Sequence, residues 1–70
     1  MYLNARSIKK KRNIMMKLID ETNANCIIVT EHWLLENEME VYALNGFVKI
    51  CWAARKNRRG GGVLVLMDQI

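Results

Sequence analysis

Seventy residues, 51% hydrophobic and 26% charged, describe one small globular domain and exclude a disordered chain. The net charge of +4 is unevenly placed: Arg6, Lys9, Lys10, Lys11, Arg12 and Lys17 form one basic cluster, Arg55, Lys56, Arg58 and Arg59 another, and most acids lie between them. That layout suits a phosphate-bearing partner, although a solvated helix face and a solvated turn give the same pattern.

"MYLN" at the start reads as the stump of a strand. Ser7 is the expected N-cap of a helix running to about residue 22. Ile14, Met15, Leu18, Ile19 and Thr22 recur at helical spacing and give it an apolar face. Lys10 stands where a capping box needs Glu or Gln, and basic residues in the first turn oppose the helix dipole. Such a helix depends on packing, or its start faces something anionic. "NAN" at 23–25 is the expected stop, because Asn tolerates left-handed backbone. "CIIVT" follows, continuous and β-branched, as expected of a strand buried on both faces.

Strand, helix and buried strand within thirty residues form a β-α-β unit with parallel strands. Ligands in such sheets gather beyond the carboxyl ends of the strands. Asn4 ends the first strand and Glu31 ends the second, so both are expected at one sheet edge. A carboxylate simply capping a strand end in solvent is the ordinary alternative. "LLENEMEVYALNG" reads as an acidic loop with one helical turn. "FVKICWA" and "VLVLM", joined by the basic glycine-rich "ARKNRRGGG", read as a β-hairpin.

Several chemistries are excluded. "RRGGGV" lacks the Lys-Ser/Thr ending of a nucleotide-binding P-loop and precedes a strand rather than a helix. His32 is the single histidine, expected at the surface, and the cysteines are too dispersed to join it in a zinc site. Cys26 and Cys51 sit in apolar runs and are expected buried and reduced, which fits an intracellular protein of the nucleus or cytoplasm. No signal peptide is visible, and no apolar run is long enough to span a bilayer.

Four segments, taken in order, resemble the start of the endonuclease/exonuclease/phosphatase superfamily. The resemblance is to its branch in non-LTR retrotransposons, the apurinic-type endonuclease that precedes a reverse transcriptase. Asn4, Ala5, Arg6, Ser7 and Ile8 match its opening Asn-x-Arg-Ser-Leu, and Thr30, Glu31, His32, Trp33 and Leu34 match Thr-Glu-x-Trp-Leu. Gly46 and Phe47 stand for a Gly-Tyr pair, and Arg59, Gly60, Gly61, Gly62 and Val63 match Arg-Gly-Gly-Gly-Val. The resemblance spans nearly the whole chain; each motif alone is weak, but four at sensible spacing are fairly specific.

The resemblance implies an α/β fold: a partial β-sandwich unit, β-α-β followed by a β-hairpin, forming the front part of a four-layer α/β sandwich. It makes residues 1–70 a single truncated domain of that superfamily. It implies that Glu31 binds a catalytic Mg²⁺, that Asn4 arranges the site, and that DNA is the substrate. Arg6, Lys10, Arg58 and Arg59 are then candidates for contacts to nucleic acid. Thr30 and Trp33 are packing and strand-end residues, and His32 fills a variable position. The family's later motifs, Gly-Asp-x-Asn, a further aspartate and Ser-Asp-His, supply the base that activates water. None occurs before Ile70, so the expectation is an N-terminal fragment of a Mg²⁺-dependent endonuclease that does not hydrolyse DNA alone. Two competing readings remain: a small basic module that binds nucleic acid without cutting, with Trp52 beside the second cluster, and a decayed open reading frame without a stable fold.

Overall fold

A computed structural model describes residues 1–69. Its elements are β1 (Tyr2–Asn4), α1 (Arg12–Thr22), β2 (Cys26–Thr30), α2 (Glu36–Val41), β3 (Phe47–Ala53) and β4 (Val63–Asp68). The strands make one mixed sheet in the order β1-β2-β4-β3. β1 runs parallel to β2, β4 is antiparallel to β2, and β3 pairs antiparallel with β4 as the expected hairpin. This is a small α/β fold of β-α-β followed by two further strands.

Side-chain alternation divides the sheet into two unlike faces. Ile27 and Val29 of β2 and Leu64 and Leu66 of β4 are fully buried, and the core they form takes in Met15 and Ile19 of α1, Met39 of α2, and Ile8, Leu34 and Leu44 from loops. Ile28, between Ile27 and Val29, is 39% exposed. The expectation that β2 is buried on both faces is therefore corrected, because both helices cover the same side.

α1 begins later than its sequence suggests. Its N-cap is Lys11, not Ser7, and no side chain caps it. Arg6 and Ser7 take left-handed backbone, so residues 5–10 run as a loop, and the Ser7 hydroxyl accepts from the Lys9 N–H at 3.5 Å. The Lys11 ammonium instead donates to the Ala5 carbonyl. The buried stripe of α1 is also narrower than expected: Met15 and Ile19 are buried, but Ile14 is 57% exposed and Thr22 is exposed. The helix stops as expected, at left-handed Asn23 (φ 52°).

α2 is the single helical turn and a half of the acidic segment. Its start is satisfied by Glu38, whose carboxylate accepts from the Leu35 N–H at 2.8 Å. Its end is satisfied by Lys49, whose ammonium donates to the carbonyls of Met39, Glu40 and Tyr42 at 2.5, 3.0 and 3.1 Å. A cation on the last carbonyls of a helix satisfies orphan acceptors and opposes the negative end of the dipole. Both cysteines are free, but Cys51 is exposed and Cys26 half-buried, so the expectation that both are buried is corrected. No helix among the described residues is long and apolar enough to cross a membrane.

Candidate functional site

Because β1 and β2 are parallel and in register, Asn4 pairs with Thr30, and both strands end at one edge. Glu31 is the next residue. The chain leaves this edge under strain: Arg6 (φ 46°), Ser7 (85°), Glu31 (56°) and Trp33 (63°) are left-handed, and among the described residues Asn23 at the α1 stop is the single other non-glycine residue that is. Left-handed backbone costs an L residue about 1–2 kcal/mol, and such strain persists where surrounding contacts over-determine the conformation.

Those contacts are backbone hydrogen bonds from two sides. Ser7 N–H donates to the Glu31 carbonyl at 2.8 Å and Ile8 N–H to the His32 carbonyl at 3.1 Å, tying the loop after β1 to the loop after β2. From the other side, Glu31 N–H donates to the Gly62 carbonyl at 2.8 Å and Trp33 N–H to that of Gly61 at 3.0 Å. The triple glycine is thus a rail for the Glu31 loop. Glu31 is fixed by its main chain while its half-buried carboxylate makes no hydrogen bond or ion pair among the described residues.

His32 locks the rail in place. Its expected surface position is corrected: the ring is completely buried. Nδ1 accepts from the Leu34 N–H at 2.9 Å, which leaves Nε2 to donate to the Ala53 carbonyl at 2.8 Å. Both nitrogens are therefore used by the backbone, and the imidazole is a neutral structural group rather than a ligand. The ring lies against Gly62, where a Cβ would stand 2.2 Å from Nε2. Gly62 is required for that approach as well as for its φ of 91°. The pairing of His32 with the third glycine is not readable from sequence, since thirty positions separate them.

The predicted nucleic-acid residues divide. Arg6, Lys10 and Arg58 are exposed, and their side chains have no partner among the described residues. Arg59 is engaged: its guanidinium grips Glu38 in bidentate fashion at 2.6 and 2.9 Å and also reaches the Trp33 carbonyl at 3.3 Å. Glu38 receives Lys9 as well, at 3.2 Å. Glu38, one of the acids between the two basic clusters, therefore draws them to one end of the molecule. Arg59 and the Leu35 N–H hold its carboxyl well below the usual carboxylate range, and Glu38 in turn raises Arg59. Trp52 is no free stacking surface: it faces the core side of β3, half-buried, with the Lys49 ammonium 6.0 Å from its ring centre.

No protein-family description, no curated protein and no solved structure matches this chain. Of the residues the resemblance points to, the described edge brings one carboxylate, Glu31, and one amide, Asn4, beside the Thr30 hydroxyl. Among the described residues no group of three or more His, Cys, Asp or Glu could hold a metal ion. One carboxylate fits Mg²⁺ that keeps most of its waters and shares phosphate oxygens, and does not fit a metal held by protein alone.

Proposed function

We propose that these residues form the front part of a Mg²⁺-dependent phosphodiesterase that nicks DNA, of the type that precedes reverse transcriptase in non-LTR retrotransposons, and that this chain alone binds DNA without cutting it. The observation that carries the reading is that Asn4 and Glu31 stand at the carboxyl edge of two parallel strands, Glu31 on strained backbone and with a carboxylate that has no partner among the described residues. A phosphodiester docked there meets Asn4 as a neutral hydrogen-bonding group and Glu31 as the anchor for a hydrated cation. Mg²⁺, when bound, polarises the phosphoryl oxygen and stabilises the leaving oxyanion. Glu31 itself orients the cation, and Arg6, on the neighbouring loop, offers an unpaired guanidinium to the phosphate backbone. The one histidine is consumed by Leu34 and Ala53, so it is not available as the base that activates water.

The test is a supercoiled-plasmid assay together with duplex binding in millimolar Mg²⁺. The expected result is an intact plasmid, with Mg²⁺ raising duplex affinity in the wild type and not in Glu31→Gln. Nicking that Glu31→Gln abolishes would overturn the claim that the chain does not cut. Equal Mg²⁺ response in both proteins would remove Glu31 from any metal site. That outcome would leave the second reading, a basic nucleic-acid-binding module, which Arg6, Lys10 and Arg58 support because no group among the described residues neutralises them.

A further inference from the structure

The sheet has a bare side. Register places Tyr2 and Asn4 of β1, Cys26, Ile28 and Thr30 of β2, and Val63, Val65 and Met67 of β4 on the face away from both helices. Val48, Cys51 and Ala53 of β3 continue it, and the irregularity between Lys49 and Cys51 turns Ile50 outward as well. Tyr2 is 68% exposed, Ile50 56%, Val48 43%, Val63 42%, and Ile28 and Met67 39% each. These side chains together expose on the order of 500 Å², the upper end of what a monomer carries in one apolar patch.

We propose that in the 70-residue chain this face is covered by a second copy of itself, the two sheets stacking face to face about a twofold axis. The composition of the face selects that occupant. No charged side chain lies on it, although the chain carries 11 basic and 7 acidic residues and a net charge of +4. A twofold axis brings a surface against itself, so an uncharged apolar face is self-complementary, whereas a face bearing this chain's excess of cations would repel its copy. The polar groups it does carry, Asn4 and Thr30, sit together at one rim.

Area points the same way. Two such faces carry about 1,000 Å² of exposed apolar surface, the threshold for a specific interface. Face-to-face packing about 10 Å apart is the ordinary way an antiparallel sheet buries an apolar side. Edge-to-edge pairing is the competing route to a dimer. It is disfavoured here because β1 offers three residues, and β3 is interrupted by its irregularity at Ile50. The face meets the catalytic edge only at that rim, through Asn4 and Thr30, while Glu31 lies beyond the end of β2.

Sedimentation equilibrium of the purified chain, from low to high micromolar concentration, tests it. The expected result is twice the 8.2 kDa monomer mass, falling to the monomer mass on dilution. Ile28→Lys and Ile50→Glu are each expected to weaken association at least tenfold while far-UV circular dichroism is retained. Val41→Glu, at a more exposed position off the sheet, is expected to leave it unchanged. A thiol-labelling measurement on the unaltered chain covers the case in which the face variants misfold. Cys51, exposed in the monomer and on the face, is expected to react more slowly as protein concentration rises. A monomer at every concentration, association that survives both face variants, indefinite polymers, or labelling of Cys51 independent of concentration would each overturn the proposal.

Discussion

Gly62 is the residue on which the candidate edge is most sensitive to change. Any side chain there meets a buried imidazole whose two nitrogens are already committed, and must also adopt φ 91°. Gly62→Ala is expected to cost about 2–4 kcal/mol, read as a fall in the urea midpoint with unchanged slope. Glu38 makes a second residue-scale prediction. Its folded pKa is depressed below the ordinary 4.5, so its contribution is fully present above pH 4.5 and is lost as pH falls through the folded value. The stability difference between wild type and Glu38→Gln is therefore expected to be largest near neutrality and to shrink on acidification, as melting temperatures at stepped pH would record. The pair is solvent-exposed, so added salt is expected to shrink the same difference.

The elements are held at their ends more than along their lengths. α1 has no side-chain N-cap and no acid in its first turn, so its defined end is Asn23, in left-handed backbone. Asn23→Ala is expected to lower stability by about 1 kcal/mol, and Asn23→Gly to preserve it, both by chemical denaturation. α2 relies on Lys49, and Lys49→Met would take the donor from the Glu40 and Tyr42 carbonyls and leave that of Met39 with the Tyr42 N–H alone, at a cost of about 1–3 kcal/mol, measured in the same way. The strands and the α1 stop were legible in the sequence because β-branched runs and the Asn pair act locally. The α1 start was not, because Ser7 is drawn into a left-handed turn by its bond to Glu31, a partner 24 residues away. The meeting of Asn4 and Glu31 at one edge followed from parallel pairing and was legible. The glycine rail, the burial of His32 and the Glu38 clamp were not, because each depends on how the β3–β4 connection folds back.

At the scale of the whole molecule, Glu38 gathers the basic clusters at one end, and the helices leave one side of the sheet bare. Among the described residues, Arg6, Lys10 and Arg58 are the candidate cations without a partner and so able to meet phosphate. The logarithm of DNA affinity is therefore expected to fall with log salt at a slope of roughly −3, and by about one less for each of the three changed to Ala. The central claim, however, concerns the edge where Asn4 and Glu31 meet, and Mn²⁺ titration of the labelled chain, followed residue by residue by amide NMR, tests it most directly. Paramagnetic broadening is expected to centre on Asn4, Thr30 and Glu31 and to disappear in Glu31→Gln. Broadening centred instead on Glu36 and Glu40 or on Asp20, or unchanged in Glu31→Gln, would contradict a cation site at that edge.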